Sequence, residues 1–269
     1  MKVGIFYLEN NGIEETAKEL AGFFVKKNIK VFKVEELKKL RSAKGLVIIS
    51  LGGDGTFLRA SHLGIRLNSP VIGVNLGNLG FLTDIEARDL FDAAEQLLQG
   101  KYEIENRMTL EVTIIGAKGE ERHFIAVNDF VVQRRINGKI LSVEIYVNGM
   151  NAGNFRSDGL VVATPTGSTA YSLSVGGPII SPLSEVYSFV FIAPHKLSSR
   201  PVVLSHSDKL SVRIMTEGNS YFLRDGETVA TLNKFDRLVF RKSARYLKIL
   251  HLKNKNFFEV LNKKFGWGV

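Results

Sequence analysis

The stretch from residue 46 to residue 57 constrains the fold of this chain more than any other. Its first half, Leu46–Leu51, is mostly apolar and is typical of a buried strand, and a helical pattern begins at Thr56. The turn between them reads Gly-Gly-Asp-Gly at residues 52–55. Because glycine has no side chain, an anion can come close to the N–H groups of such a turn, and the following helix directs its positive dipole end to the same place. The turn therefore predicts a phosphate site containing one carboxylate, Asp54, with a simple helix cap by Asp54 as the alternative.

The first hundred residues alternate between strand and helix patterns. Apolar residues recur at helical spacing from Ile13 to Phe24 and from Leu90 to Leu98, and Gly100 stops the last helix. Residues 38–41 predict a short polar connection. Apolar runs predict strands at residues 3–8, 29–34, 46–51 and 71–74. Such alternation is typical of an α/β domain with a parallel layered sheet, which we place at residues 1–100.

After Gly100 the chain changes to short β-type segments separated by turn signals. They are predicted at residues 108–115, 123–133, 140–147, 187–193, 210–215, 221–223, 238–241 and 246–252. Small residues at 168–175 predict one short helix among them. This pattern predicts a β-rich, β-sandwich-like C-terminal domain at residues 101–252. The tail, residues 253–269, has an apolar face that we expect to dock on the body of the protein, with the first domain as one candidate surface.

The composition indicates a globular protein with an anionic partner and excludes several kinds of site. The 269 residues are 45% hydrophobic and 23% charged, which is typical of a globular protein with a sizeable core. The net charge of +9 is compatible with a nucleotide, polyphosphate, nucleic-acid or membrane partner. The absence of cysteine excludes disulfides, thiolate metal sites and cysteine nucleophiles. The short N-terminal apolar run does not match a signal peptide or membrane span, and we expect a cytoplasmic protein.

A second unusual segment runs from Arg156 to Ser174. It contains a strand, a Pro-Thr-Gly turn and a cluster of small hydroxyl residues beside Tyr171. Hydroxyls and backbone amides can bind base edges and ribose, small residues allow close approach, and the tyrosine can stack or hydrogen-bond. The segment is therefore compatible with nucleoside recognition, and an ordinary Ser/Thr-rich loop with Tyr171 in the core is the alternative.

Taken together, these segments resemble NAD kinases. The resemblance rests on Gly-Gly-Asp-Gly-Thr at residues 52–56, Asn-Asp at 128–129 and Pro-Thr-Gly-Ser-Thr-Ala-Tyr at 165–171. It extends over most of the chain through residues 76–84, 176–179, 197–201 and 264–267. The glycine turn alone also resembles phosphofructokinases and diacylglycerol and sphingosine kinases. The Pro-Thr-Gly-Ser-Thr-Ala-Tyr segment is far more specific.

The resemblance implies an activity. The terminal phosphoryl group of ATP, or of polyphosphate as the alternative donor, would pass to the 2′-hydroxyl of the adenosine ribose of NAD, giving NADP. A divalent cation, Mg²⁺ by preference, would assist, and Asp54 would be the general base. No residue is expected as a metal ligand, because the five histidines are too scattered for a metal triad. Neither a nucleic acid nor a membrane is expected as a partner.

The resemblance also implies a set of binding residues. Gly53 and Gly55 would line the path of the phosphates, and Arg59 on the following helix would face them. Asn128 and Asp129 would hold the nicotinamide end or a ribose of NAD. The residues implied to surround the adenosine are Phe81, Thr169, Ala170, Tyr171 and Ser174. The other residues implied to bind are Ser172, Leu173, Arg156, Asp158 and, as a further phosphate contact, Lys139.

Two departures from the family pattern are visible. The family usually has Asn-Glu where this chain has Asn128-Asp129, so the carboxylate is one methylene shorter. It tends to have Asp-Gly-Gln where this chain has Asp225, Gly226 and Glu227. Asp225 carries over by position, and in the family this aspartate serves the site of a neighbouring subunit. The resemblance therefore implies a homo-oligomer, either a dimer or a tetramer.

Other classes of protein fit the sequence less well. There is no P-loop G-x-x-x-x-G-K-[ST] motif, and no G-x-G-x-x-G follows the first strand, which disfavours P-loop kinases and Rossmann dehydrogenases. A lipid kinase would need an apolar groove that the sequence does not indicate. A nucleic-acid binder would use the basic and aromatic residues of 241–264, but their alternation fits a half-buried strand.

Overall fold

The computed structural model describes residues 1–8, 12–77, 80–252 and 256–266. It divides into two compact units, Met1–Arg107 with Tyr246–Val269, and Met108–Arg245. The chain passes between them at residues 107–108 and 245–246, each within a long strand. The division predicted from the change in sequence pattern is at residues 100–101 and 252–253 instead. It differs because the sequence pattern of a strand does not change where the strand passes from one unit to the other.

The first unit is an α/β unit. Its strands and helices are β1 Lys2–Tyr7, α1 Ile13–Lys26, β2 Lys30–Phe32, α2 Val34–Lys39, β3 Leu46–Leu51, α3 Asp54–Leu67, β4 Val71–Asn75, β5 Ile85–Glu86, α4 Leu90–Leu98 and α6 Phe257–Phe265. The strands are parallel in the order β2-β1-β3-β4, and the short strand β5 also pairs with β4 in parallel. Strand β3 is buried at all six positions, as expected for a parallel strand covered on both faces.

The helices of this unit bury one face each. Leu20 and Phe24 of α1 are fully buried, while acidic residues occupy its first turn. Helix α3 packs closely on β4 because Gly64 has no side chain: a Cβ there would lie 2.5 Å from Val71 Cγ2. Asn68, in the left-handed conformation, ends α3. Helix α3 begins three residues after β3 ends, so its N-terminus lies beside the end of that strand.

The second unit consists mainly of antiparallel strands. Its elements are β7 Glu121–Ala126, β8 Asp129–Arg134, β9 Leu141–Val147, β10 Met150–Ser157, β11 Gly159–Ala163, the short helix α5 Tyr171–Ser174, β12 Val186–Ile192, β13 Val202–Ser205, β14 Leu210–Ile214, β15 Ser220–Arg224 and β16 Glu227–Leu232. Two long strands contain residues of both units, β6 Glu103–Ile115 and β17 Arg237–His251.

Two sheets share the core of the second unit. One has the order β13-β12-β11-β8-β15-β16, and β10-β9-β14-β17 forms a row in the other. Apolar residues of both rows, including Phe130, Leu160, Val143 and Phe240, belong to one buried cluster. The predicted fold class, a parallel α/β domain followed by a β-sandwich-like domain, is confirmed.

Several local predictions are wrong. Residues 34–39 form the helix α2 rather than a strand end and a polar connection, and Leu37 is its only buried residue. Residues 123–133 are two strands, β7 and β8, interrupted at residues 127–128. The two strands predicted at residues 238–241 and 246–252 are one strand, β17 Arg237–His251, with Ser243 buried in its middle.

None of the helices in the described part of the chain has the length and apolar character that crossing a bilayer requires.

Candidate active-site residues

The glycine turn forms the link between β3 and α3. Gly52 has φ +141°, a conformation that side chains rarely allow, and a Cβ there would lie 2.6 Å from Thr56 Oγ1. Gly53 precedes the helix in extended conformation, and Asp54 is its first residue. Gly52 is therefore required by the local backbone, whichever ligand binds.

The Asp54 carboxylate is held by a second segment of the first unit. Its Oδ2 accepts a hydrogen bond from the Phe81 amide at 2.9 Å, and its Oδ1 accepts one from the Leu82 amide at 3.0 Å. The residue preceding α3 is Gly53, and the helix has no side-chain cap. The helix-cap alternative is therefore wrong, and the two amides fix the orientation of a half-buried carboxylate.

Gly80 makes this arrangement possible. A Cβ at this position would lie 2.0 Å from Asp54 Oδ1 and 2.6 Å from Thr83 Oγ1. Gly80 belongs to the motif at residues 76–84, of which Asn78 and Leu79 lie outside the described residues. The glycine therefore lets the segment at 80–82 approach the carboxylate closely.

Gly53 and Gly55 differ from Gly52 and Gly80. Both are exposed, and a Cβ at either position would meet no atom within 4 Å. Neither has a positive φ, so the fold itself does not require glycine there. The open space at the N-terminus of α3 is what close approach of an anion to the backbone needs. Arg59 lies exposed on the same helix.

Phe81 is partly covered by the C-terminal helix. Its ring lies 5.4 Å from that of Phe265, and the Lys264 ammonium lies 5.5 Å from its centroid. The terminal residue of the tail motif, Trp267, lies outside the described residues. Helix α6 thus packs on the residue whose amide holds Asp54, while the predicted contact of Phe81 with adenosine stays a prediction.

In the second unit, the Pro-Thr-Gly turn packs on residues 127–128. The Thr164 hydroxyl donates to the Val127 carbonyl at 2.6 Å and accepts from the Gly167 amide at 3.1 Å. A Cβ at Gly167 would lie 2.1 Å from the Asn128 carbonyl oxygen. The two motifs of this unit, at residues 128–129 and 165–171, are therefore neighbours, as the resemblance implies.

Asp225 holds the loop at residues 127–129 by hydrogen bonds. Its carboxylate accepts from the amides of Val127 at 2.9 Å, Asn128 at 2.7 Å and Asp129 at 3.1 Å. Asp225 has φ +48° in the turn between β15 and β16, and its own amide donates to the Asp129 carbonyl at 3.0 Å. Within its own chain, Asp225 therefore orders the loop that carries Asn128 and Asp129.

Asp129 is an almost fully buried acid. Burial, together with the nearby Asp225 carboxylate, raises its pKa from 3.8 to about 7. The Asp225 carboxylate itself accepts the three amide hydrogen bonds from residues 127–129. Near neutral pH the Asp129 side chain is consequently part protonated, and in that form it can donate a hydrogen bond.

Asp129→Asn should change how stability depends on pH. The pKa of Asp129 is higher in the folded than in the unfolded chain, so its contribution is full below pH 3.8 and is lost as the pH rises through 7. Relative to Asp129→Asn, the wild type should lose roughly 2–3 kcal/mol of unfolding free energy between pH 5 and pH 8.5. Urea unfolding at both pH values measures this, with the exposed Asp92→Asn as control. A constant difference across the range would contradict it.

The predicted binding residues from Thr169 to Ser174 differ in how far they are exposed. Tyr171 is 38% exposed, Thr169, Ala170 and Leu173 are partly buried, and Ser174 is exposed. The Ser172 hydroxyl is buried with no hydrogen-bond partner within the described chain. Tyr171 is therefore available to a ligand, and the core alternative for it is wrong.

Three further predicted residues of the second unit, Asp158, Lys139 and Arg156, are charged. Asp158 pairs with Arg134 at 2.5 Å, and the Lys139 ammonium lies 3.3 Å from Glu217. Arg156 is exposed on β10. Their contacts with a ligand stay predictions.

Sequence reasoning missed the groups that position the predicted ones. The amides of Phe81 and Leu82 bind Asp54, and Gly80 and Gly167 leave room for close packing. Gly80 lies in a motif that the resemblance uses, but nothing in the order of residues indicates that it lies against the distant Asp54 side chain. The glycines of that motif were the only available signal.

No metal site is formed by protein side chains alone in the part of the chain that the structure describes. Within it, no group of three or more His, Cys, Asp or Glu residues could hold a metal ion. A cation that arrives on the phosphates of a nucleotide needs few protein ligands, because Mg²⁺ keeps several of its waters.

Two family models match the chain. The ATP-NAD kinase N-terminal domain matches residues 8–102, and the ATP-NAD kinase C-terminal domain matches residues 127–252. The NAD kinase of Caldanaerobacter subterraneus subsp. tengcongensis is 40% identical over 223 residues, covering 82% of this chain and 79% of the relative. The NAD kinase of Agathobacter rectalis is 42% identical over 225 residues, covering 81% and 78%.

Solved structures share the fold. The crystal structure of yeast NADH kinase complexed with NADH matches with a TM-score of 0.89 at 23% identity, over 100% of this chain and 88% of that one. An NAD kinase from Archaeoglobus fulgidus in complex with ATP matches with a TM-score of 0.77 at 25% identity, over 98% of both chains.

Proposed function

The chain belongs to the NAD kinase family, and from that premise we propose that Asp54 is the general base of the reaction. The protein phosphorylates NAD, as a phosphotransferase with an alcohol group as acceptor and with ATP as donor. Asp54 removes the proton of the 2′-hydroxyl of the adenosine ribose as the phosphoryl group is transferred. The observation that carries this assignment is the half-buried carboxylate fixed by two amides beside the glycine turn.

The chemistry of the acceptor explains the need for a base. A ribose hydroxyl is a poor nucleophile until its proton has an acceptor, and a positioned carboxylate is worth roughly 10²–10⁴-fold in rate. A carboxylate has about four lone-pair sites, and the Phe81 and Leu82 amides use two of them. The remaining sites are available to the hydroxyl, so the amides orient the base without occupying it.

The phosphate side depends on positioning and on charge. Phosphoryl transfer passes through a loose transition state, so neutralising the phosphate oxygens matters more than nucleophile activation. The exposed backbone at Gly53 and Gly55 and the N-terminus of α3 supply N–H donors that need no rearrangement. Arg59 adds a positive charge on the same helix.

The second unit holds NAD. We assign the dinucleotide to the loop at residues 128–129, the segment from Thr169 to Ser174, and the side chains of Arg156, Asp158 and Lys139. Support comes from the tight packing of the Pro-Thr-Gly turn on Asn128 and from the exposure of Tyr171. A partly protonated Asp129 can donate a hydrogen bond that the ionised form of the acid cannot.

Kinases of this ATP-dependent family use a divalent cation, and we propose Mg²⁺ bound to the phosphates of ATP. The described residues offer no cluster of protein ligands for it, so no side chain is assigned to the ion. We further propose a homo-oligomer, dimer or tetramer, and a cytoplasmic location, where NAD and ATP are both present. Their support is the family resemblance.

Tyr171→Ala tests the assignment of NAD to the second unit. Loss of the ring should raise the KM for NAD about tenfold or more, since base–aromatic stacking is worth roughly 1–3 kcal/mol, while kcat changes less. An assay that couples NADP formation to an NADP-specific dehydrogenase measures both constants. Tyr102→Ala, a similarly exposed tyrosine of the first unit, is the control. A fall in kcat at unchanged KM would contradict a binding role for Tyr171.

A further inference from the structure

His251, near the end of β17, lies between two carboxylates of the first unit. Its Nδ1 contacts Asp84 Oδ2, and its Nε2 lies 2.7 Å from Glu105 Oε2. Both partners are acceptors, so both ring nitrogens must donate, which requires the charged imidazolium. Although burial alone would lower it, the two carboxylates raise the pKa of His251 to about 9.

The charges in this group balance each other. Glu105 also pairs with Arg107, and the two cations hold the pKa of Glu105 down at about 2 against its burial. The His251 and Asp84 side chains are only 11% and 13% exposed. Separating these partners would leave buried charges uncompensated, which is costly. The ion pairs therefore hold the side chains of Asp84, Glu105 and His251 together.

Asp84 connects this group to the base. It follows Leu82, whose amide holds Asp54, by two residues, and its own amide donates to the Gly73 carbonyl of β4 at 3.2 Å. Leu82 and Thr83 are buried, and Ile85 begins β5 beside β4. The segment at residues 80–84 therefore has few alternative positions once the Asp84 side chain is held.

We propose that His251 is a positioning residue for phosphoryl transfer. By pairing with Asp84 it fixes the segment at residues 80–84, whose Phe81 and Leu82 amides hold the Asp54 carboxylate. The inference rests on the proposed role of Asp54 as the general base. The sequence did not indicate it, since His251 lies 167 residues from Asp84 and looks like an ordinary residue of a half-buried strand.

His251→Ala leaves Asp84 and Glu105 without the cation between them, and the segment at 80–84 should shift. We expect kcat to fall about 10–100-fold, since displacement of a reacting group by about 1 Å costs up to 10². The KM for ATP should stay within about threefold, because no residue of the segment at 80–84 is assigned to ATP. A merely structural role would lower the fraction of active enzyme and its melting temperature, but it would not link the effect on kcat to Asp84.

The decisive measurement is a double-mutant cycle between His251 and Asp84. If His251 acts through Asp84, the variants His251→Ala, Asp84→Asn and their combination should lower kcat to similar extents, so that the two effects do not multiply. His251→Gln keeps one NH₂ donor but loses the positive charge between the two carboxylates, so it should still lower kcat and serves as the second variant should His251→Ala fail to fold. His206→Ala removes a histidine that contacts Glu185 in the second unit and is the matched control.

The outcomes separate this inference from the proposed function. Unchanged kcat in whichever His251 variant folds, together with a large loss in Asp54→Asn, would overturn the role of His251 alone. Effects of His251→Ala and Asp84→Asn that multiply, or a rise in the KM for ATP equal to the fall in kcat, would overturn it as well. Unchanged kcat in Asp54→Asn would instead overturn the proposed general base.

Discussion

Asp54→Asn should lower kcat by about two to four decades, because the 2′-hydroxyl of NAD then has no positioned acceptor for its proton. Binding of NAD should change little, since we assign the dinucleotide mainly to residues of the second unit. The residual rate should reflect the backbone at Gly53 and Gly55, which we propose binds the phosphates and which the substitution leaves in place.

The geometry of the site makes asparagine a suitable replacement. Its amide oxygen can accept one of the two hydrogen bonds from Phe81 and Leu82, while its NH₂ group faces the other amide and loses that bond. A charge-assisted hydrogen bond of this kind is worth roughly 1.5–3 kcal/mol, so the variant should fold with a lower melting temperature. Circular dichroism checks the fold, and NAD titration checks binding. A folded variant with kcat within threefold of the wild type would rule out the assignment.

The fold was predictable where burial is continuous. Strand β3, buried at every position, and helix α1, with one buried face, have patterns that only one kind of element satisfies. Helix α2 has a single buried residue, and β10 is mostly exposed, so neither shows the spacing of apolar residues from which an element can be predicted. In β17 the basic residues from Arg241 to Arg245 resemble a turn, although hydrogen bonding continues the strand through them.

The sequence predicted the residues of the site that stand out by their type, but not the contacts that hold them in place. Asp54, the two exposed glycines and Tyr171 stand out by residue type, and the structure gives each a place consistent with a ligand. The groups that hold Asp54 are backbone amides, which every sequence has, and the segment that carries them is joined to His251, 167 residues away in the chain, through Asp84. Those contacts depend on how β4 and β5 pair, which the order of residues does not reveal.

Gly80→Ala separates the presence of the Asp54 carboxylate from its position. The added Cβ would start 2.0 Å from Oδ1, so the carboxylate must move by about 1.4 Å to reach an ordinary contact distance of 3.4 Å. The amides of Phe81 and Leu82 cannot follow without moving their own segment, which Asp84 holds. We therefore expect kcat to fall about 10²-fold although the base is still present, with unchanged KM for NAD.

The control for this prediction lies three residues earlier in the same motif. A Cβ on Gly77 would meet no atom within 4 Å, its φ is not positive, and its amide bond to Asn75 Oδ1 survives an alanine. Gly77→Ala should therefore keep kcat within about twofold, so a loss seen only in Gly80→Ala comes from the contact with Asp54. Equal kcat in the two variants would mean that the reaction tolerates a displaced carboxylate. Electrostatic binding of the phosphates at the N-terminus of α3 would then account for catalysis without a positioned base.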